Sequence, residues 1–250
     1  MTTNVYDGLK GVLATDSRWS CRRGRYLIYI DNTNFHKIEV FENTAFMFAG
    51  NGRLIQQRKD WIKSSPTDES GVPDVNGICI SGIDTLTKQV KFSEGMSINM
   101  SSAIFAGSGA PYAYGCWMQN KNAQKAVDSA KMIDPATGGD VKFLDFSRKI
   151  DNLAVENLFL PSNIDQVNIA LNSEGIIMDI SNQTRIDSPF KVSDLSAAAS
   201  ASPDLKQLKE DLSSNPLSAE APCDAMYSEW TAEATSRLSS FLGEVFNWKK

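Results

Sequence analysis

The chain has 250 residues, of which 42% are hydrophobic, enough for one large domain or for one domain with an appendage. Its 25 basic and 30 acidic side chains give a formal charge of -5, and without a sustained basic run nucleic-acid binding is not indicated. No window approaches the about eighteen apolar residues of a membrane span, and no charged segment followed by a long apolar one opens the chain, so we expect a cytoplasmic protein without a membrane partner.

Strand patterns dominate the first fifty residues. Alternating apolar residues and β-branched or aromatic content predict strands at residues 3–6, 11–15, 25–30, 35–41 and 44–49. Residues 19–24 are polar and contain glycine, which predicts a connection. After the turn Gly50-Asn51-Gly52, apolar residues at helical spacing predict a helix at 54–63.

The middle of the chain alternates strands and helices. Residues 64–76 predict a loop because they are rich in Ser, Pro, Asp and Gly. Further strands are predicted at residues 77–82, 89–92, 102–106, 141–146, 167–171 and 175–180, and helices at 112–120 and 123–133. This order predicts an α+β fold in which two antiparallel sheets pack face to face with helices outside, a four-layer αββα sandwich.

The composition changes near residue 193. Residues 195–203 are small and polar, like a linker, while 205–212 and 227–248 carry apolar residues at helical spacing. We therefore expect a main domain at 1–192, followed at 193–250 by a linker and a helical C-terminal extension. Packing of these helices on the main domain is favoured over docking to another subunit.

The cysteines and the single histidine do not point to a metal site. Cys21, Cys79, Cys116 and Cys223 lie far apart and form no CxxC pair, which favours free thiols over a disulfide framework or a zinc site. His36 lies in a predicted strand, where a structural or surface role is favoured over a functional one. We expect neither a metal nor a cofactor.

The start of the chain offers a nucleophile. Thr2 follows the initiator methionine, and a small residue at this position usually permits methionine removal. A threonine with a free α-amine then combines a hydroxyl nucleophile with a base whose ordinary pKa is about 7.7 to 8.0. Threonine is also a common second residue, so the pair Met1-Thr2 predicts nothing by itself.

Several short segments occur together in an order that is typical of one protein family. The chain resembles the proteasome β-type subunits of the N-terminal nucleophile hydrolase superfamily, and through GSGxPYA it is also similar to the peptidase subunit of the bacterial ATP-dependent protease. The segments that carry the resemblance are Thr2-Thr3, Ala14-Thr15-Asp16-Ser17-Arg18, Lys37, Phe48-Ala49-Gly50, Gly107-Ser108-Gly109-Ala110-Pro111-Tyr112-Ala113-Tyr114-Gly115 and Asp134 to Gly139.

The resemblance implies a threonine nucleophile with a charged pair beside it. Thr2 corresponds to the nucleophile, with its own α-amine or an ordered water carrying the proton. Lys37 corresponds to the catalytic lysine, whose field favours the deprotonated hydroxyl, and Asp16 to the carboxylate that pairs with it.

Further positions follow from the same resemblance. Gly50 corresponds to the donor of the oxyanion N–H. Ser108, Asp134 and Thr137 correspond to the group that positions the terminal amine, with Thr137 where the family usually has serine. Each of these residues also has an ordinary structural explanation, as a turn residue, a helix entry or a solvated strand residue. Those explanations are favoured for each residue alone and not for the set.

Substrate contacts are implied for three residues. Trp19 and Ser20 follow the segment beside which an extended substrate lies in the family, and Ser20 could bond a substrate backbone as an added strand. Phe48, in the strand that ends at Gly50, corresponds to the floor of the specificity pocket.

The chain also departs from the family. The segments 50–107 and 108–134 are shorter and the loop 20–37 is longer, so the stacked-ring assembly cannot be carried over, and residues 193–250 have no counterpart. The resemblance implies a threonine peptidase or amidohydrolase acting on a peptide or protein substrate, as a homo-oligomer, with an ATPase or another protein as a partner. The alternative is a non-catalytic inhibitor, immunity or assembly factor that retains Met1.

Overall fold

The chain is an α+β protein with two antiparallel sheets over residues 2–154, 157–181, 189–200 and 202–248, which the computed structural model describes. The strands of these ranges are β1 (Asn4–Asp7), β2 (Val12–Asp16), β3 (Trp19–Arg23), β4 (Tyr26–Ile30), β5 (Ile38–Phe41), β6 (Thr44–Asn51), β7 (Ile78–Asp84), β8 (Val90–Glu94), β9 (Ile98–Asn99), β10 (Ala103–Ala106), β11 (Val141–Asp145), β12 (Ile150–Asp151), β13 (Ile176–Asp179), β14 (Phe190–Lys191) and β15 (Glu220–Ala221).

Helices cover the sheets and form much of the C-terminal extension. They are α1 (Gly52–Lys63), α2 (Ala110–Asn120), α3 (Ala123–Lys131), α4 (Ile164–Glu174), α5 (Leu195–Ala198), α6 (Pro203–Ser214) and α7 (Ala232–Val245), with 3₁₀ turns at Val192–Asp194 and Asp224–Tyr227. The predicted helices at 54–63, 112–120 and 123–133 are confirmed as α1, α2 and α3. None of the helices within the described ranges has both the length and the apolar character needed to cross a bilayer.

The first sheet has the strand order β12-β11-β2-β1-β10-β9 and is apolar on both faces. Val5 belongs to a cluster that this sheet forms with Trp117 of α2 and with α3. The next residue, Tyr6, belongs to the main core, which also contains Phe46 of the second sheet. Since successive side chains of a strand point to opposite faces, one face of the first sheet meets helices and the other contributes to the main core.

The second sheet has the order β14-β13-β4-β3-β15-β6-β7-β8, with β5 paired to β6. Helix α1 packs on β6 and α4 on β4. Their N-termini are fixed by asparagine side chains: Asn51 Oδ1 accepts from the N–H groups of Arg53 and Leu54, and Asn163 Oδ1 accepts from that of Gln166. Asparagine is among the preferred N-cap residues because it satisfies donors that the first turn leaves unpaired.

The prediction of a polar connection at residues 19–24 is wrong. Residues 19–23 form β3, which pairs with β4 from Trp19 opposite Ile30 to Arg23 opposite Tyr26. Gly24, with a φ of +56°, and Arg25 form the turn between them. The polar composition misled the prediction because the pairing of β3 with its neighbours decides its conformation.

The prediction of a strand at residues 167–171 is also wrong. These residues lie inside α4, and the buried residues of this helix are Ile164, Val167 and Leu171. Their spacing of three and four places them on one side of a helix. The short apolar run alone could not distinguish this buried helical face from a strand.

The C-terminal extension packs on the second sheet, as the helical patterns favoured. Leu238, Phe241 and Leu242 of α7 are buried in the main core, and α7 contacts β8. Leu208 of α6 belongs to the same core. The boundary between a domain at 1–192 and an extension at 193–250 stays a prediction.

Candidate active site

The predicted nucleophile and the predicted charged pair meet at one carboxylate oxygen. Asp16 ends β2, beside the residues that lead into β1. Its Oδ1 accepts hydrogen bonds from Thr2 Oγ1 at 2.5 Å, from Lys37 Nζ at 2.9 Å and from the Thr3 N–H at 2.8 Å. Thr2 and Asp16 are completely buried and Lys37 is 1% exposed.

The other oxygen of Asp16 is held by backbone groups. Asp16 Oδ2 accepts from the N–H groups of Arg18 and Gly138, both at 3.2 Å. Gly138 belongs to the segment that contains the predicted Asp134 and Thr137. The carboxylate is therefore fixed in orientation by the N-terminal strands and by the loop after α3.

Lys37 is a fully enclosed cation site. Its Nζ donates to Asp16 Oδ1, to the Asp16 carbonyl at 3.1 Å and to the Arg18 carbonyl at 2.7 Å. Three acceptors match the three donors of an ammonium group. Burial lowers the pKa of Lys37, and the charge of Asp16 opposes this shift. The site therefore holds a positive charge next to the Thr2 hydroxyl and makes that charge easier to discharge than on a solvated lysine.

A second polar cluster contains the three residues predicted to position the terminal amine. Ser108 Oγ donates to Asp134 Oδ2 at 2.9 Å, and Thr137 Oγ1 donates to the same oxygen at 2.6 Å. The hydroxyl groups of Thr137 and Thr3 are hydrogen-bonded at 2.7 Å. This cluster therefore reaches the residue that follows Thr2.

The predicted oxyanion donor lies at the end of β6. Gly50 has a φ of +120°, and a Cβ there would lie 2.3 Å from the Gly77 carbonyl oxygen, so only glycine fits. Its register partners are Ile78 in β7 and Ala221 in β15. A segment of the C-terminal extension thus lies directly beside it.

The three predicted substrate-binding residues have different surroundings. Trp19 is buried, stacks on Phe35 and donates from Nε1 to the Phe35 carbonyl at 2.8 Å. Phe48 is buried as well, and its N–H donates to the Lys37 carbonyl at 2.9 Å. Ser20 lies opposite Glu220 of β15. Both rings support the site from the core, and their contact with a substrate stays a prediction.

Some residues of the site had no predicted role. Arg18 forms a salt bridge with Asp31 at 2.8 Å and donates from Nη1 to the Pro135 carbonyl at 2.5 Å. Burial lowers the pKa of Arg18, but the hydrogen bond and the charge of Asp31 outweigh it and raise the pKa overall. Asn4 accepts from Thr15 Oγ1 at 2.5 Å and donates to the Phe48 carbonyl at 2.7 Å. The run of three polar residues at 2–4, leading into a predicted strand, is the sequence signal that points to Asn4.

His36 lies outside this site. Its Nε2 is 3.0 Å from the Leu153 carbonyl oxygen. Burial, together with the charges of Lys59 and Lys142, lowers its pKa to about 4, so the ring is neutral at neutral pH. Among the described residues, no group of three or more histidine, cysteine, aspartate or glutamate side chains is placed to hold a metal ion.

The structural neighbours of this chain are of the HslV/proteasome type of threonine peptidase, the same group as the sequence resemblance. BPH of Thiobacillus denitrificans in complex with epoxomicin is 14% identical, with a TM-score of 0.42, over 57% of this chain and 96% of that chain. A second structure of Thiobacillus denitrificans BPH is 14% identical, with a TM-score of 0.35, over 57% of this chain and 95% of that chain. Eukaryotic HslV from Trypanosoma brucei is 13% identical, with a TM-score of 0.28 over 57% and 99%.

No protein-family model matches the chain, and no curated protein matches it. At the identity of the structural neighbours, the assignment of any chemistry depends on the residues of this chain.

Proposed function

We propose that the chain is an N-terminal threonine peptidase or amidohydrolase. The observation that carries the proposal is the single oxygen, Asp16 Oδ1, that accepts from both the Thr2 hydroxyl and the Lys37 ammonium group. Burying a lysine and an aspartate costs free energy that an apolar pair would not cost, so their position beside a hydroxyl is better explained by chemistry than by stability. The proposal requires removal of Met1, which lies outside the described residues.

The proposed reaction begins with attack by Thr2 Oγ1 on a peptide or amide carbonyl carbon. The hydroxyl proton passes to the free α-amine of Thr2, directly or through a water, and the field of Lys37 stabilises the developing alkoxide. The backbone N–H of Gly50 stabilises the oxyanion of the tetrahedral intermediate. The C–N bond breaks, the amine leaves with the proton, and water then hydrolyses the ester to release the acid and restore the hydroxyl.

The remaining site residues have supporting roles in this proposal. Ser108, Asp134 and Thr137 hold the α-amine in the orientation that accepts the proton, supported by the link from Thr137 to Thr3. Ser20 bonds the substrate backbone, and Trp19 and Phe48 shape the floor below it.

The same proposal includes the layer arrangement of the fold, the location of the protein and its assembly. Helices on the outer face of the first sheet and helices α1 and α4 on the second support a four-layer αββα arrangement. We place the protein in the cytoplasm as a homo-oligomer with an ATPase or another protein as its partner. Leu158 and Phe159, exposed by 87% and 97%, offer apolar side chains for such a contact.

The nucleophile is tested by intact mass spectrometry with epoxomicin, used as an electrophile directed at N-terminal threonine. We expect protein that begins at Thr2 to gain the mass of one inhibitor molecule and peptide mapping to place the adduct on Thr2. The variant Thr2→Ala is expected to gain none, because it keeps the fold but has no hydroxyl.

The matched control is the same chain with Met1 still attached, whose Thr2 hydroxyl is present but whose α-amine is blocked. It should remain unlabelled. Absence of labelling in protein that mass spectrometry shows to begin at Thr2, with the segment 217–221 displaced as described below, would refute the enzymatic proposal.

A second candidate function is a non-catalytic interaction protein that retains Met1. The observation that favours it is the complete burial of Thr2 together with the strand β15 beside Gly50. Intact mass of protein isolated from its own cells distinguishes the two, because the interaction protein should keep Met1 and co-purify with a partner at fixed stoichiometry.

A further inference from the structure

A piece of the C-terminal extension forms a strand in the middle of the second sheet. Glu220 lies opposite Ser20 of β3 on one side and opposite Asn51 of β6 on the other, and Ala221 lies opposite Gly50. Strands β3 and β6 thus meet through two residues that arrive from a distant part of the chain. We call residues 217–221 the inserted segment.

Helix α4 holds the backbone of the inserted segment with two asparagine side chains. Asn172 donates from Nδ2 to the Leu217 carbonyl at 3.0 Å and accepts from the Leu217 N–H at 2.8 Å. Asn168 accepts from the Ala219 N–H at 2.7 Å. The two asparagines are four residues apart and share one face of the helix. They bind main-chain groups, so they would hold another peptide of the same shape equally well.

The start of α1 completes this line of backbone contacts. The Gly52 N–H donates to the Ala219 carbonyl at 3.2 Å. Donors and acceptors from α4, α1, β3 and β6 therefore follow one extended peptide over five residues, which is the pattern of peptide recognition by strand addition.

The side chains of the inserted segment alternate in burial. Leu217, Ala219 and Ala221 are buried, with exposures of 3%, 0% and 0%, whereas Ser218 and Glu220 are half-buried. This is the two-residue period of a strand. At two of the three buried positions, Ala219 and Ala221, the side chain is a single methyl group.

We propose that these groups form a peptide-binding track for an extended peptide with small apolar side chains at alternate positions, and that residues 217–221 are its resident ligand. The track follows from the backbone contacts and stands without any chemistry at Thr2. Its consequence for reactivity rests on the proposed function.

That consequence is control of access to the nucleophile. The inserted segment uses the edge of β3 that faces away from β4 and the edge of β6 that faces away from β7. An added substrate strand needs those same edges, so substrate and inserted segment exclude each other. Binding and reaction are then limited to the fraction of molecules in which the segment has left the track.

The short pairing of the inserted segment makes such release feasible. Residues 213–216 before it are exposed, while Cys223 and Ala225 after it are buried in the main core and exposure resumes at residues 227–229. Only two residues pair in β15, so few ladder bonds oppose release. The segment is held by its hydrogen bonds to Asn168, Asn172 and Gly52 and by its buried apolar side chains in the main core.

The track is tested with the variant Ala219→Pro of the full chain. Proline has no N–H for Asn168 and needs more room than the buried alanine, so the segment should leave. The probe is a fluorescein-labelled heptapeptide with the sequence of residues 216–222, followed by anisotropy. We expect it to bind the variant at least about tenfold more tightly than the unaltered chain, where the tethered segment competes at high effective concentration.

Two controls accompany this measurement. The variant Glu229→Pro places proline in an exposed part of the same extension, after the extended residue Ser228, and should bind the peptide as weakly as the unaltered chain. A heptapeptide with proline in place of the residue that matches Ala219 should not bind. Equal binding of the peptide to all three proteins, or no binding to Ala219→Pro, would overturn the proposal.

Hydrogen exchange of the unaltered chain tests the same release if Ala219→Pro does not fold. The amides of Leu217 and Ala219 should exchange through local opening, well before those of β1 and β2. Exchange of these amides only with global unfolding would show that the segment is a permanent strand, which also overturns the proposal.

Labelling by epoxomicin then separates this inference from the proposed function. For protein that begins at Thr2, Ala219→Pro should react about tenfold faster than the unaltered chain, since one lost backbone hydrogen bond raises the population of the open form by about that factor. If the peptide binds but no labelling occurs, the peptide-binding track is supported and the proposed enzymatic activity is refuted. Equal labelling rates in both proteins would refute the control of access.

Discussion

At the scale of single residues, Asp16 connects the start of the chain to the buried lysine. Among the described residues, its carboxylate accepts hydrogen bonds from a hydroxyl, an ammonium group and three backbone N–H groups. Removing such an acceptor leaves a buried cation without its counter-charge, and this costs more than removing the cation.

We expect Asp16→Asn to lower the free energy of unfolding by about 3–5 kcal/mol, because Lys37 then remains buried and uncompensated. Lys37→Met should cost less, since Asp16 keeps its other donors. The double variant should be more stable than the sum of the two losses predicts. Urea unfolding of the four proteins measures this, and strictly additive losses would contradict the coupling of the two charges.

The sequence was sufficient to select Thr2, Asp16 and Lys37, because a resemblance in short ordered segments does not require knowledge of the contacts. It could not give Arg18 or Asn4 a role. Their partners Asp31 and Phe48 are distant in sequence, and a polar residue next to a strand is also compatible with solvent exposure. The structure supplies the first contact through pairing of β3 with β4, and the second where β1 of the first sheet meets β6 of the second.

At the scale of elements, strong local signals were predictable and long-range pairing was not. Helix α1 has its asparagine cap and its apolar spacing within the short stretch from Asn51 to Lys63, so the pattern at 54–63 predicted it. The strand β15 has only two residues, Glu220 and Ala221, and exists because β3 and β6 provide edges for it. Nothing in the local sequence of residues 217–221 distinguishes it from a loop.

The inserted segment should respond to pH through Glu220. Burial raises the pKa of this carboxyl above its ordinary value of 4.5, and Arg23 opposes the shift. The closed form therefore binds the proton more tightly than the open form, where the carboxyl is solvated. Closure is most favourable below the ordinary value, and this advantage is lost as pH rises through the raised pKa.

We expect the ratio of Thr2 labelling rates of the unaltered chain to Glu220→Gln to be near one at the acid end of this range and to rise toward neutral pH. Glutamine stays neutral throughout, so it keeps the segment closed while the ionised glutamate favours release. Comparing the two proteins at each pH cancels the titration of the α-amine. A ratio independent of pH would contradict the role of Glu220.

At the scale of the whole molecule, the C-terminal extension and the second sheet share one core. Phe241 of α7 lies over Gly82 of β7, where an added Cβ would be 2.1 Å from its Cζ atom. The ring also contacts Phe92, with centroids 5.7 Å apart, and Phe46, at 5.9 Å. The Phe241 ring of the extension thus packs against the sheet at Gly82, where there is no side chain.

This packing decides between one folding unit and a separable extension. If residues 193–250 fold with the rest, Phe241→Ala should lower the stability of the whole chain by about 3–5 kcal/mol, through lost burial and the cavity that remains. Urea unfolding followed by tryptophan fluorescence and by far-UV circular dichroism should then show one shifted transition at the same midpoint. Trp230 and Trp248 lie in the extension and the other three tryptophans in the preceding part of the chain, so the fluorescence reports on both parts.

The matched control is Tyr227→Ala, which removes an aromatic ring of similar size that is 87% exposed in the same extension, and it should change the midpoint little. A separable extension would give a different result: Phe241→Ala would produce an early transition of the extension alone, while the remaining transition kept its original midpoint. In that case the inserted segment would leave together with helix α7, which follows it, and access to Thr2 would be controlled by undocking of the extension rather than by residues 217–221 alone.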